Sequence, residues 1–283
     1  MHTVSTPETT KTLRIGHTPD PDDAYMFFGF ASGQVTIPGY KIEHVLEDIE
    51  TLNRKAQQAD IDVTAISAAM YPELNDRYWI LPTGASVGRN YGPVLVKKKG
   101  AQPRGRKIAI PGKHTTAALL LRLYAEKGQM IEYRFDEIPR ALSAGEVDFG
   151  LLIHEAQITY EDLGFEKVMD LGAEWTRDTQ LPIPLGLDVV KKDLGREVAL
   201  GILAALRKSI EVADEQRDDA VQYALKFGRG LQKTLGEKFV KMYVNDDTLD
   251  FGEEGEKALN LLFDKAYRAG IFATPTRIDI LRP

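Results

Sequence analysis

The sequence predicts an α/β chain of two domains. Several short β-rich runs stop at a polar or glycine-containing turn and give way to a helix-like pattern, and two proline- and glycine-bearing stretches read as crossings between domains. At 283 residues, with an apolar share sufficient for a core in each half, a two-domain globule is the default.

The elements follow in order. "TLRIGH" leads through "TPDPDD" to "AYMFFGFASG"; "DIDVTAI" leads to "SAAMYPEL"; "RKIAIPG" leads to "KHTTAALLLRLYAEKG"; "VDFGLLI" leads to "HEAQITYEDLG". Open α/β sheets bind ligands outside the carboxyl ends of their strands, where helix N-termini offer unpaired N–H groups and partial positive charge. Four such junctions point to one shared cleft. "LPTGASVGRNYGPVLVKKKG" and "LPIPLGLDVVKKDLG" each end in a strand followed by paired lysines, as if two connectors ran alongside each other. The simplest topology is discontinuous, with residues 1–92 and 187–283 in a first domain and residues 93–186 inserted as a second. The later segments "REVALGILAALRKSIEVADEQ", "RDDAVQYALKFG" and "EEGEKALNLLFDKAYRAG" repeat apolar residues at spacings of three and four, the pattern of covering helices, with Leu203, Leu206 and Ile210 in the core.

Composition removes several functions. A net charge of −6 spread along the chain leaves no broad basic surface for a phosphate backbone, so nucleic acid is not an expected partner. The stretch "MHTVSTPETTKTL" lacks the apolar core of a signal peptide, and no run approaches the about 20 apolar residues that span a bilayer. A soluble, cytoplasmic protein without membrane contact is expected, its oligomeric state open. With no cysteine, disulfides, thiolate nucleophiles and cysteine-ligated zinc are absent.

Four catalytic patterns fail. In "IPGKHTT" a phosphate loop needs glycine where Lys107 stands and a hydroxyl residue where His114 stands. "HEAQI" places Ile158 where the zinc pattern needs its second histidine. Neither a G-x-S-x-G elbow nor a G-x-G-x-x-G turn occurs. No metal and no cofactor is therefore expected.

The junctions remain. Thr115 and Thr116 stand at a helix start, where their hydroxyls either cap backbone N–H groups or help to hold a carboxylate. Ser67 follows a strand and reads as an ordinary cap or as a contact for an anionic ligand. "GHTPDPDDAYMFFGF" gathers His17, Thr18, Asp20, Asp22 and Asp23 in a proline-stiffened turn whose acidic residues suit a helix start, Asp23 being the one singled out as a ligand contact. Tyr25, Phe27 and Phe28 read as packing, and Asn245 and Asp250 as caps. At the end of "GLLI", His154 is either a satisfied structural histidine or a proton-transfer group, and Glu155 either orients a ring or begins the next helix. The strand-end position leaves these alternatives level.

Taken together, "VLEDIETLNR", "GKHTTA", "GEVDFGLLIHEAQITY", "LPIPLG" and "YVNDDTLDFGEEGEKA" resemble the 1,4-dihydroxy-6-naphthoate synthase family of the futalosine route to menaquinone. The resemblance implies a type II periplasmic-binding-protein-like fold, two α/β domains around a ligand cleft. It also implies a lyase that converts cyclic dehypoxanthinyl futalosine to 1,4-dihydroxy-6-naphthoate without a redox cofactor. On this resemblance His154 is the proton acceptor, Thr115 and Thr116 the substrate-binding hydroxyl pair, and Ala65, Ile66 and Ser67 the other substrate-binding turn. Two departures stand out: the family's "SPCPND" loop is "TPDPDD" here, with Asp20 and Asp22 in place of cysteine and asparagine, and a frequent lysine before the serine turn is Ala65. The competing readings are a non-catalytic small-molecule binding module of solute-receptor ancestry and a related pathway enzyme, chorismate dehydratase.

Overall fold

The computed structural model describes residues 10–103, 105–125, 127–227, 237 and 240–283. Most of the polar N-terminal stretch on which the absence of a signal peptide was read, residues 1–9, lies outside them.

The chain builds two sheets. It begins with β1 (Lys11–His17), then α1 (Pro21–Met26), α2 (Phe28–Ala31), β2 (Tyr40–Leu46), α3 (Ile49–Gln57) and β3 (Val63–Ser67). Pro21 opens α1, where its missing N–H goes unneeded, with Asp22 and Asp23 in the first turn favoured by the helix dipole. The crossover helices lay β1 parallel to both β2 and β3, with Ile15 opposite Val63. A single 3-10 turn, Ala68–Glu73, follows β3, and β4 (Tyr78–Ile80) and β5 (Ser86–Gly88) complete this passage.

The second sheet takes β6 (Val94–Lys98) and β7 (Lys107–Ile110), then α4 (Thr116–Tyr124), β8 (Gln129–Glu132), α5 (Ile138–Ala144), β9 (Phe149–Leu152), α6 (Ala156–Thr159), β10 (Phe165–Asp170) and α7 (Leu171–Thr179). Its order is β10-β6-β9-β7-β8. The chain then returns as β11 (Ile183–Lys191), which inserts between β3 and β4, giving the first sheet the order β2-β1-β3-β11-β4. β11 enters that sheet at Ile183, ahead of Leu187, because Ile183 already pairs with Gly88 of β5. The two connectors thus run side by side as antiparallel β5 and β11, whereas the lysine-tailed strands β6 and β11 lie in different sheets.

Packing follows the periodicity. α8 (Arg196–Glu215) and α9 (Arg217–Leu225) cover the first sheet, and Leu203, Leu206 and Ile210 are buried there with Leu13, Ile15, Tyr25, Phe27 and Phe28. A second apolar cluster crosses from one sheet to the other: Ile66 and Leu187 share it with Leu95, Ile108, Leu119 and the fully buried Trp175, whose indole N–H donates to the Pro182 carbonyl at 3.0 Å. Asn245 caps the short helix Asp246–Leu249, and the Asp250 carboxylate accepts from the Gly252 N–H at the start of the last helix, Gly252–Arg268. Among the described residues no helix is long and apolar enough to cross a membrane.

Candidate active site

The carboxyl ends of β1 and β3 in one sheet and of β7 and β9 in the other face a common cleft. It encloses about 730 Å³ of space free of protein atoms, counted out to its open mouth. Every sequence-predicted site residue lines it: Asp23 from the loop after β1, Ala65, Ile66 and Ser67 from the end of β3, Thr115 and Thr116 from the start of α4, and His154 from the turn after β9. Gln157 and Tyr243 line it as well, the Gln157 amide donating to the Tyr243 hydroxyl across the cleft. Among the described residues, no lysine or arginine lines the cavity.

His154 has a left-handed backbone, φ 54°, immediately past the strand. Such a conformation in a residue other than glycine is uncommon and is held in place by its surroundings. The ring packs on Phe135, centroids 4.7 Å apart, and its Nδ1 lies 3.2 Å from Oδ2 of Asp20 in the opposite sheet's loop. Its Nε2 is buried and has no hydrogen-bond partner among the described residues. Glu155 begins the next helix, its carbonyl accepting from Ile158 N–H and the Thr159 hydroxyl.

Ser67 is not an ordinary cap. Its N–H donates to Oδ1 of Asn53 at 2.8 Å, and its hydroxyl oxygen accepts from Nδ2 of the same side chain at 3.1 Å. Asn53 is fully buried and grips both groups, which leaves the Ser67 hydroxyl proton free to point at a ligand while its N–H is not. The threonine pair is likewise engaged. Thr115 caps α4, donating its hydroxyl proton to the Gly112 carbonyl and accepting from the Ala118 N–H. Thr116 donates to the Leu185 carbonyl at 2.7 Å and accepts from the Ala69 N–H at 3.1 Å, tying α4 to β11 and to the turn after β3. With both hydroxyl protons given to carbonyls, the donors that α4 presents to the cleft are the first-turn N–H groups of Thr116 and Ala117, which helix geometry leaves without intrahelical acceptors.

A second tie closes the cleft. Glu50 of α3 accepts from the His114 N–H at 3.1 Å, lies 2.6 Å from His114 Nδ1 and also accepts from Arg54 at 3.1 Å. Burial would raise the Glu50 carboxyl, but these partners hold it below its usual range. Gly112, at φ 139°, is required here, since a Cβ would stand 2.4 Å from the Glu50 carboxylate. His114 therefore orients the turn before α4. Asn53 and Glu50 sit in the segment "VLEDIETLNR", but nothing local in that segment ties them to Ser67 and His114.

The acidic loop is less charged than it reads. Burial, then Asp23 and Asp20, push the Asp22 carboxyl well above the carboxylate range, which favours the neutral form of the group that replaces asparagine in the family's loop. Burial, with Asp23 nearby, likewise raises Asp188. Burial raises Asp23 to about 6 against the opposing hydrogen bonds from the Thr18 N–H and hydroxyl. A carboxyl whose folded pKa is raised contributes stability below its unfolded pKa and loses it as pH rises through the folded value. Asp23→Asn therefore gains stability relative to the wild type between pH 4.5 and 7.5, by about 1 kcal/mol or more, in urea titrations at the two pH values. His17, stacked on Phe27 and pushed by burial and His44 down to about 3, acts in the opposite direction but is common to both proteins and cancels in the difference. A gain that is the same at both pH values would contradict the assignment.

Residues 13–268 match a family described as menaquinone biosynthesis. The chain belongs to that family. Among menaquinone-biosynthesis relatives, 1,4-dihydroxy-6-naphthoate synthase of Thermus thermophilus is 39% identical over 266 residues, 94% of this chain and 97% of the relative. The synthase of Streptomyces coelicolor is 34% identical, covering 92% and 94%. The crystal structure of protein AF1704 from Archaeoglobus fulgidus superposes with a TM-score of 0.88 at 48% identity, over 92% of this chain and 98% of that one. The periplasmic aliphatic sulphonate binding protein SsuA from Escherichia coli, 14% identical over 98% of this chain and 93% of its own, has a TM-score of 0.65 and shares the fold alone. This menaquinone-biosynthesis protein thus has the two-domain periplasmic-binding-protein fold.

Proposed function

We propose that the chain is a lyase that converts cyclic dehypoxanthinyl futalosine to 1,4-dihydroxy-6-naphthoate, with His154 as general base and the lobes formed by residues 1–92 with 187–283 and by residues 93–186. Beyond family membership, the observation that carries this reading is the buried Nε2, without a partner among the described residues, of a cleft-lining histidine held in a left-handed turn. An imidazole with a free nitrogen is suited to take a sugar hydroxyl proton near neutral pH. As the O–H bond breaks and N–H forms, the oxygen's electron pair becomes a carbonyl, the adjacent carbon–carbon bond breaks and its electrons pass into the ring-forming half. The Nε2 proton, directly or by exchange with solvent, then neutralises the enolate left on that half, and the imidazole returns to its starting state.

A substrate carboxylate is held here without a cation. The Thr116 and Ala117 N–H groups, at the positive end of α4, and the free Ser67 hydroxyl proton supply the donors. Burial favours the neutral forms of Asp22 and Asp188, so they oppose an anion less than the count of acidic residues suggests. The site calls on no cofactor in this reading.

The direct test incubates purified protein with cyclic dehypoxanthinyl futalosine and follows product mass. Appearance of the naphthoate with multiple turnovers is expected. Saturable binding, seen as a raised melting temperature, with no product would instead assign a binding module.

A further inference from the structure

We propose that Asp20 is the positioning residue that makes His154 a base: reaching across the cleft, its carboxylate accepts the Nδ1 proton and thereby fixes the tautomer whose Nε2 lone pair faces the substrate. The inference rests on the general-base reading above and goes further, because it assigns the histidine's competence to a residue of the other lobe.

The geometry supports each part. Asp20 lies in the loop after β1 and His154 after β9, so the 3.2 Å contact joins the two sheets. Asp20 is 1% exposed and its Oδ2 stands 3.2 Å from the ring's Nδ1, while Phe135 packs on the ring and limits its rotation. The neighbouring Asp23 carboxyl is committed elsewhere: one of its oxygens accepts both Thr18 donors. A histidine ring has two nitrogens, and the hydrogen bond made by one decides which carries the proton. With an acceptor at Nδ1, the lone pair sits on Nε2, the atom left unpartnered. When Nε2 takes the substrate proton, the resulting imidazolium keeps its Nδ1–H on the Asp20 side chain, which stabilises the new positive charge. Because the two members come from different lobes, the base is complete only when the cleft is closed, which couples proton abstraction to enclosure of the substrate.

The test combines a measurement on the unaltered protein with two variants. In ¹⁵N-histidine-labelled wild type, the His154 ring is expected as the Nδ1–H tautomer; an Nε2–H tautomer would overturn the proposal and needs no variant to fold. Asp20→Asn, which can offer an N–H to Nδ1 and reverse the tautomer, is expected to lower kcat by about 100-fold or more with KM changed less than about threefold. Asp20→Ala, which removes the acceptor without supplying a donor, should also lower kcat and not KM. Placed in His154→Ala, either substitution should have no further effect. If His154→Ala itself keeps full turnover, the general-base reading fails and this one with it. If His154→Ala is inactive while the Asp20 variants keep wild-type kcat, only the positioning role is overturned.

Discussion

His154→Ala is expected to lower kcat for naphthoate formation by about 10²- to 10⁴-fold, the range of a general base, with KM little changed. The loss should fall on kcat because Nε2 has no partner among the described residues: it contributes no ground-state hydrogen bond, and its work begins when the hydroxyl proton moves. One complication is the backbone, since φ 54° costs an alanine about 1 kcal/mol or more in the left-handed region. His154→Asn separates the two effects, because asparagine adopts that conformation more readily and has no basic nitrogen. Both variants should lose turnover alike, with the asparagine variant closer to wild type in melting temperature. Turnover retained in both would remove His154 from the chemistry, and turnover retained in the asparagine variant alone would make the residue structural.

Much of this site was legible because strand ends and helix starts leave local marks. "GKHTT" and "TAIS" each carry a hydroxyl residue where a strand gives way to a helix or turn, and an α/β sheet brings such junctions to one edge. The fold class and the joining of Ala65, Ile66, Ser67, Thr115, Thr116, Asp23 and His154 around one cavity follow from that rule. Long-range pairing leaves no such mark. Asn53 is 14 residues from Ser67, Glu50 is 64 from His114, and Gln157 is 86 from Tyr243; the first contact exists because α3 packs back on β3, the other two because the two sheets meet. Chemical state is also invisible in sequence: "DPDD" reads as a block of negative charge, yet burial raises the Asp22 carboxyl and favours its neutral form. The sequence also offers two threonine hydroxyls as ligands, whereas their protons go to the Gly112 and Leu185 carbonyls, because unpaired buried carbonyls are costly and a hydroxyl at a helix start is the nearest donor.

Gly172→Ala is expected to destabilise the protein by about 3 kcal/mol, the upper part of the overpacking range, in chemical denaturation. Gly172 lies in the first turn of α7 against the crossing between the lobes. A Cβ there would stand 2.2 Å from the Tyr91 carbonyl carbon, 2.3 Å from its oxygen and 2.5 Å from the Gly92 nitrogen. All three are main-chain atoms, so no side-chain rotation relieves the clash and the crossing itself must move. Alanine's better helix propensity returns only about 1 kcal/mol. Gly201→Ala in α8 provides the control, since nothing lies within 4 Å of its would-be Cβ and the same change should be neutral or stabilising. The displacement also has a functional consequence. The Tyr91 hydroxyl places its one proton between the Val87 and Met242 carbonyls, and its ring meets that of Tyr243 edge-on at 5.5 Å. Moving Tyr91 therefore disturbs Tyr243 and its bond with Gln157 on the cavity wall, while leaving the contact between Asp20 and His154 on separate elements. KM should rise more than kcat falls. A Gly172→Ala protein as stable as the wild type would show that the crossing yields without strain, and an unchanged KM would separate it from the cavity wall.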